Sequence, residues 1–589
     1  TINVQQDFIV NGVAVVAEVG NTISFNGADQ QMAGIEYYNL NLASAGNKTL
    51  SSIANIRGTV SLVDNSTLIS NGKLVLISNS TGTARISQLS PIRIIQGNIT
   101  VQRYIETLPG NVRRYRYLSS PVNINGQINY SQFLDDIYIT GQIGSGFDLS
   151  NLNKPSAFIY NETVEGTFNF GYEGITSVNN TLATGKGVSI LIRGDRSLGS
   201  PAFYTQPFPI PTPATIDYTG SVNFGNVTLP LTFTDHPAND NYLDDGWNLV
   251  GNPYPSNINW NSTSFIKTNV EDVIYTYNPT TGSFGTYKTS NNASINNGSQ
   301  IIASGHSFFV KASGAGVPSI SLSEQVKTNL DPHTNYIREA KLNQLSVVLV
   351  NSEGIEDETL IIFKKGSSLL FNDKEDARKL LGNSLNIYSI SSDKKKLAIN
   401  EIDYINKKQS LNLGAEGAPG FYLLKFIGSN TFNNKTTITL LDKYLNCKTI
   451  ISANTLYKFE IIDKDENIGD RFELIFNDNS LVDIKNVLEI SNDRLLVSKE
   501  NPIVQTMRIY PNPAKNVMHI NITGMQAGIY QLTVVNNLGK IMISRKTEIS
   551  ELGSNLIEDV SKLASGIYTI QLKNSEQKQP AIIGKLIKQ

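Results

Sequence analysis

The chain has 589 residues and carries 49 Lys and Arg against 51 Asp and Glu, a formal net charge of −2, with charged residues at only 17%. That length exceeds what one hydrophobic core serves, so about three to five domains are expected. The near-neutral balance gives no electrostatic case for nucleic acid or an acidic membrane surface, and no apolar run approaches the ~20 residues that span a bilayer.

The chain opens "TINVQQDFIV", with neither an initiator Met nor a basic and apolar leader, which predicts a mature or trimmed chain. Over residues 1–97 short β segments are broken by Asn and Gly, as in "GTVSLVDNSTLISNGKLVLISNSTGTARI". There Val60, Leu62, Leu68, Leu74 and Leu76 alternate with small polar residues, and "NG" and "STG" mark turns. Short strands of similar length with Asn-rich corners predict a β-solenoid-like segment, in which each rung buries its apolar side on the next and further rungs are expected upstream.

Residues 98–333 read as a duplicated β unit, with copies at about 98–195 and 246–313. The first copy has "RRYRYLSSPV", "AFIYNETVEGTF" and "ATGKGVSILIRG"; the second has "GWNLVGNPYP", "IYTYNPTTGSF" and "IASGHSFFVKA". Each gives an aromatic strand ending at Pro, a hairpin with Tyr-Asn and Gly at its turn, and a Gly-led apolar strand. The pattern pairs Pro121 with Pro253 and Gly185 with Gly305, and "PFPIPTPATIDY" between the copies reads as an extended connector. Residues 334–477 are richer in charge and predict a β-sandwich with one short helix, "NDKEDARKLLG", capped by Asn372 with Glu375 at the third helical position and ended by Gly382. Residues 478–505 read as a linker, and 506–589 as a last, autonomous β domain whose entry is stiffened by Pro511 and Pro513.

Catalytic or metal chemistry finds little support. His236, His306, His333 and His519 lie in separate segments with no ligand or nucleophile at a recognisable spacing. "DKDENIGD" places Asp463, Asp465, Asn467 and Asp470 like the start of a calcium loop, but it lacks the sixth-position Gly and the closing Glu and reads as a hairpin tip. Asp235, Asp240, Asp244 and Asp245 precede a strand and meet the same objection. Cys447, the one cysteine, excludes a disulfide framework and sits in the strand-like "YLNCKTIIS" as a small apolar residue. The two tryptophans, Trp247 and Trp260, suit core packing better than exposed platforms for sugars. No catalytic residue, cofactor site or metal site is expected.

The last domain resembles the type A C-terminal sorting domain of proteins exported by the Bacteroidetes type IX secretion system. Three blocks carry the resemblance in order: "RIYPNPAKNVMHI", "AGIYQLTVVNNLGKIM" and "LASGIYTIQLKN", followed by the basic end "IIGKLIKQ". The turn "NSEQKQPAII" is longer and more polar than the family pattern. The resemblance implies a sorting signal carried by Tyr510, Pro511, Asn512, Pro513, Gly528, Tyr530, Gly539, Gly566, Tyr568, Lys585 and Lys588. Its implied partners are the type IX translocon and its outer-membrane shuttle protein. Upstream, "GNITVQRYI", "GKGVSILIRGDRS" and "GWNLVGNPYPSNINW" resemble passenger regions of large surface proteins of gliding Flavobacteria.

The expected architecture is all-β and multidomain: a short N-terminal β-solenoid-like segment, β-sandwich domains and a C-terminal Ig-like β-sandwich. The expected function is that of a secreted or cell-surface, non-enzymatic protein in adhesion, surface structure or gliding, with a surface glycan or other surface proteins as further partners. The alternative is a carbohydrate-binding or accessory part of a polysaccharide-degrading enzyme.

Overall fold

A computed structural model describes residues 1–10, 16–108, 112–197, 199, 207–236, 245–314, 316–332, 341–382, 385–404, 408–433, 435–462, 468–478, 506–510, 512–523, 528–549, 554–574 and 581–589. The chain divides into two compact units, Thr1–Val482 and Asp483–Gln589, and both are built almost wholly of strands.

The first hundred residues pass in turn through three parallel sheets. One stacks Ile2–Val4, Thr22–Phe25, Asn39–Leu42, Thr59–Leu62 and Arg85–Ile86; the next stacks Gln30–Met32, Gly46–Leu50, Ser66–Ile69 and Ile94–Gln96. The third stacks Glu36–Tyr37, Ala54–Ile56, Leu74–Leu76 and Ile99–Ile105. Parallel register puts like on like: Ile23, Leu40, Val60 and Ile86 form one buried column, and Tyr37, Ile56, Leu76 and Val101 another. Each such aliphatic side chain contributes about 1.5–3 kcal/mol by leaving water. One inward position is a cation: Lys48 is buried beside Gln30, and its ammonium donates to the backbone oxygens of Ala28, Ser44 and Ala45 at 2.7, 2.7 and 2.9 Å. Burial lowers its pKa, and the three carbonyls replace the lost water. The last strand of the stack, Ile99–Ile105, is covered by an antiparallel strand, Ala214–Val222, from the block that follows.

That block contains two sheets of matching order. In the first, Arg114–Leu118 pairs with Val188–Ile192, which pairs with Ala157–Tyr160, which pairs with Tyr172–Gly174. In the second, Trp247–Gly251 pairs with Ser307–Lys311, then Val273–Asn278, then Ser283–Lys288, with Ala293–Ile295 added at the edge. Register aligns them residue by residue, since Tyr117 faces Ser189 as Leu249 faces Phe309, and Tyr160 faces Tyr172 as Tyr277 faces Phe284. The two sheets exchange backbone bonds reciprocally. Ser119 N–H donates to Gly305 and Gly251 N–H to Gly185, both at 2.9 Å, and β-bridges join Leu118 to His306 and Val250 to Lys186. Gly185 and Gly305 both take positive φ, +78° and +73°. At Gly251 the crossing leaves no room for a side chain, because a Cβ would lie 2.1 Å from that of Ser119.

Residues 341–478 form one eleven-stranded sheet that curls until its far ends share a core. There the Tyr457 hydroxyl donates to Asp442 at 2.9 Å, and the Arg471 guanidinium forks onto the same buried carboxylate. The helix expected at 372–382 is instead one turn followed by a two-residue strand, Ala377–Arg378. Asn372 does cap that turn, accepting from Lys374 N–H at 3.1 Å, but Asp376 then turns inward to accept from the backbone of Asn372 and Glu401, and Ala377 pairs with Ile399. A short helix lies instead at Ser131–Leu134. Of the linker expected at 478–505, Asp478 ends the strand Phe472–Asp478, and the remainder lies outside the described residues.

The second unit faces a three-stranded sheet (Thr506–Tyr510, Val517–Thr523, Ser554–Asp559) against a four-stranded one (Ile541–Ile549, Gly528–Asn536, Gly566–Asn574, Ile582–Lys588). Met518, Ile520 and Ile522 from one sheet meet Tyr530, Leu532, Val534, Tyr568, Ile570 and Leu572 from the other, all buried. Period-two alternation produces both inner faces.

Candidate functional site

Two places in the molecule concentrate chemistry. In the second unit it is the entry bracket. Tyr510 ends its strand opposite His519, Pro511 lies outside the described residues, and the Asn512–Pro513 peptide is cis. The Asn512 carboxamide spans the outer edge of the last strand: its Nδ2 donates to the backbone oxygen of Lys585 at 2.7 Å, and its Oδ1 accepts from Ile587 N–H at 2.8 Å. Ala514 continues the same edge, donating to Ile587 and accepting from Gln589, both at 2.9 Å. A carboxamide offers one donor and one acceptor at this reach, as a neighbouring peptide group does, and a carboxylate would lose the donor.

The other residues implied by the sorting resemblance fall into distinct places. Tyr530 and Tyr568 belong to the core, with the Tyr568 hydroxyl donating to Ala564 at 2.8 Å. Gly528 starts a strand, and Gly539 takes φ +80° in a turn where Asn536 Oδ1 accepts from Leu538 and Lys540. Gly566 faces Lys588 in register. Lys585 is exposed, whereas Lys588 is buried and donates to the backbone oxygen of Gln589. The two lysines are therefore not equivalent, and the bracket grips the backbone between them.

In the first unit the site is an aromatic cleft of about 180 Å³ lined by Tyr115, Tyr117, Phe158, Phe168, Asn169, Tyr172, Ser189, Tyr277, Phe284 and Leu381. Cross-strand register brings Tyr117, Ser189 and Phe158 into one row on the first sheet. The 277–284 hairpin of the second sheet forms another wall, with Tyr277 edge-on to Tyr117 at 4.8 Å between centroids. The Tyr117 and Tyr172 hydroxyls are hydrogen-bonded at 2.7 Å, and burial pushes both phenols above their ordinary range. Arg116, beside the cleft, is pulled down to about 10 by burial, with Tyr277 opposing. None of the lining side chains is a carboxylate, imidazole or amine, so the lining can stack and hydrogen-bond, and its titratable groups are phenols.

Other residues singled out in the sequence take structural places. Trp247 and Trp260 are buried, at 2% and 0% exposure, and so present no platform to solvent. His236 bonds Asp245 at 2.9 Å, which raises its pKa, and its other ring nitrogen meets the Thr163 oxygen at 3.2 Å. His306 contacts Arg103 at 2.8 Å. Cys447 lies 3.3 Å from the Tyr457 hydroxyl at the rim of a core. Asp470 pairs with Lys443, while Asp463, Asp465, Asn467, Asp240, Asp244 and His333 lie outside the described residues. Among the described residues no group of His, Cys, Asp or Glu is arranged to hold a metal ion. The cleft carries no motif; the signal that could have found it is a comparison of the two copies.

A model for a domain of unknown function, DUF8693, matches residues 13–476, most of the chain. The chain belongs to the DUF8693 family. In this DUF8693 protein a second model, the secretion system C-terminal sorting domain, matches residues 508–589, the unit closed by Asn512. This DUF8693 protein is thus a type IX secretion substrate, exported to the cell surface or the extracellular space, and its sorting unit interacts with that machinery. No curated protein matches the chain. Among solved structures it is similar to dimeric latent PorU from Porphyromonas gingivalis, at 11% identity and TM-score 0.15, over 46% of this chain and 31% of that one. The chain therefore spans about a third of PorU's length. It is also similar to the BSP domain of a biofilm associated protein, at 10% identity and TM-score 0.13, over 83% and 77% of the two chains.

Proposed function

We propose that the exported chain acts outside the cell as a non-enzymatic surface protein, in adhesion, surface structure or gliding. The residues before 106 serve as a short solenoid, a reading supported by the parallel stacking of like on like in three sheets. The translocon and its outer-membrane shuttle protein recognise the second unit as folded, with Asn512 holding the last strand in place. That clamp is the observation that carries the reading, because it makes strand 582–588 part of one rigid signal.

Two measurements in a host with type IX secretion test it. Deleting residues 582–589 should leave the protein in the periplasm with its first unit still folded, and fusing 479–589 to an unrelated folded reporter should carry that reporter to the surface. Normal surface levels of the truncated protein would refute the sorting role. Turnover of a polysaccharide or peptide that vanishes on replacing one Asp or Glu would refute the non-enzymatic one.

A second reading, a carbohydrate-binding role, is favoured by one observation. The cleft in the first unit combines aromatic rings with phenol and alcohol hydroxyls.

A further inference from the structure

The two copies of the duplicated unit have parallel fates up to one point. Each presents an aromatic face, and the equivalent positions can be paired from the strand register. Tyr115 faces Leu191 as Trp247 faces Lys311, and Tyr117 faces Ser189 as Leu249 faces Phe309. The face of the second copy is covered. Trp247, Leu249, Tyr275 and Phe309 form one buried cluster with Leu360, Ile362, Leu380 and Ile399 of the large curled sheet. The face of the first copy is covered only in part: Tyr160 joins the same cluster and Tyr117, Phe168 and Tyr172 pack against it, while beyond them the half-buried Tyr115 and Phe158 line the cleft.

The residue types follow that difference. Where the covered face has Trp247, Leu249 and Phe309, the partly open face has Tyr115, Tyr117 and Ser189, so three positions with no hydroxyl become three with one, against one reverse change, Tyr275 to Phe158. A face meant only to meet water would not need so many rings, and a face buried along its whole length would resemble its covered twin. This one keeps flat rings and adds donors and acceptors to them. Its lining carries no formal charge, although Arg116 stands beside it. A ligand that suits such a lining has flat apolar patches, many hydroxyls and no charge of its own, which is the chemistry of a neutral pyranose.

We infer that the cleft lined by Tyr115, Tyr117, Phe158, Tyr172, Ser189 and Tyr277 binds a neutral sugar unit of a glycan. A ring stacks on Tyr115 and Phe158, and its hydroxyls exchange hydrogen bonds with the Tyr115 phenol, Ser189 and Asn169. The rim residues Asn169 and Leu381 are exposed, so a longer chain leaves the cleft past them. This inference rests on the carbohydrate-binding reading and assigns it a place.

The test is titration calorimetry of the full chain with neutral tetrasaccharides of glucose, mannose and xylose. A sulfated tetrasaccharide and a proline-rich decapeptide, which also suits aromatic grooves, serve as contrasts. Binding of at least one neutral tetrasaccharide is expected, in the weak range below about 1 mM that a single small site gives. Ser189→Phe, which copies the covered face, should weaken it at least about tenfold, and Tyr115→Phe, which keeps the ring and drops the hydroxyl, about threefold. Should Ser189→Phe fail to fold, Asn169→Ala at the rim takes its place, with a loss of at least about twofold expected. Neutral-sugar binding that these variants leave untouched overturns the cleft assignment and leaves the carbohydrate reading standing. Absence of any neutral-sugar binding overturns both, as does preferential capture of the decapeptide in the cleft.

Discussion

The two halves of the duplicated unit share strand order, register and a positive-φ glycine, yet the aromatic face of one is wholly buried while that of the other is left partly open as a cleft. The difference does not come from the backbone. It comes from the large sheet, which lays Leu360, Ile362, Ala398 and Ile399 of its strands and Ala377 and Leu380 of the segment between them across the second copy. Lys288, Ser290 and Asn291 of that copy donate to the backbone oxygens of Asp373, Lys374 and Glu375 at 2.6, 2.8 and 3.0 Å. A buried ion pair, Arg378 to Glu271 at 3.1 Å, fastens the same seam, and Asp357, paired with Lys379 at 2.7 Å within the large sheet, accepts across it from Asn296 at 2.7 Å. One fold thus yields a structural face and a candidate binding face according to what lies over it, and side chains alone record the choice.

The largest expected effect contrasts the faces directly. Leu249→Ala empties a fully packed position and should cost about 2–5 kcal/mol of unfolding free energy, while Phe158→Ala on the half-buried open face should cost about half as much or less. Urea titration of the full chain reads both, and equal costs would erase the distinction between covered and open.

The crossing between the copies gives a smaller contrast. Gly251→Ala forces a methyl against Ser119 and should cost about 1–3 kcal/mol. Ser119→Ala at the equivalent position removes only the hydroxyl that donates to His306 and Asn252 at 3.0 Å, and should cost about 1 kcal/mol. If Gly251→Ala proves neutral in thermal unfolding, the tight crossing described here is not formed.

The mildest effect is one of pH. Asp376 lies within the covering segment, turned inward, and burial raises it from 3.8 to about 7. The folded chain then holds a proton that the unfolded chain releases, so its contribution to stability is full below the unfolded value and is lost as pH rises through about 7. Asp136, beside the open copy, is raised to about 7 for the same reason and contributes with the same sign. The unfolding midpoint should fall between pH 5 and 8, and Asp376→Asn should flatten part of that slope. A midpoint that climbs over this interval contradicts the burial of both groups.

What the sequence discloses and what it hides follow from the range of the interactions. Val60, Leu68, Leu74 and Leu76 were legible as inward positions because each stacks on a similar residue of the neighbouring parallel strand, and alternation alone selects them. The same holds for Met518, Ile520, Tyr530 and Leu532. The helix at 372–382 was misread because its capping residues satisfy a single turn as well as several, and the packing of Ala377 and Leu380 with the second copy decides the rest. The proline bracket was visible, but the task of Asn512 was not, since its partners lie 73 and 75 positions away. The cleft was hidden for a different reason. No residue in it is unusual alone, and it emerges only when Tyr115, Tyr117 and Ser189 are set beside Trp247, Leu249 and Phe309.

The reciprocal backbone bonds at Ser119 and Gly251 also bear on the order in which the chain can fold. Ser119 needs Gly305, and Gly251 needs Gly185, so neither sheet reaches its final form while the other is absent. Folding here carries the high contact order of paired distant segments, which slows the search and removes any half-way stopping point. Whichever sheet is made first must wait, uncommitted, until the strands of the other are present. The duplicated unit is therefore one kinetic step, and a fragment cut between its copies inherits neither of them.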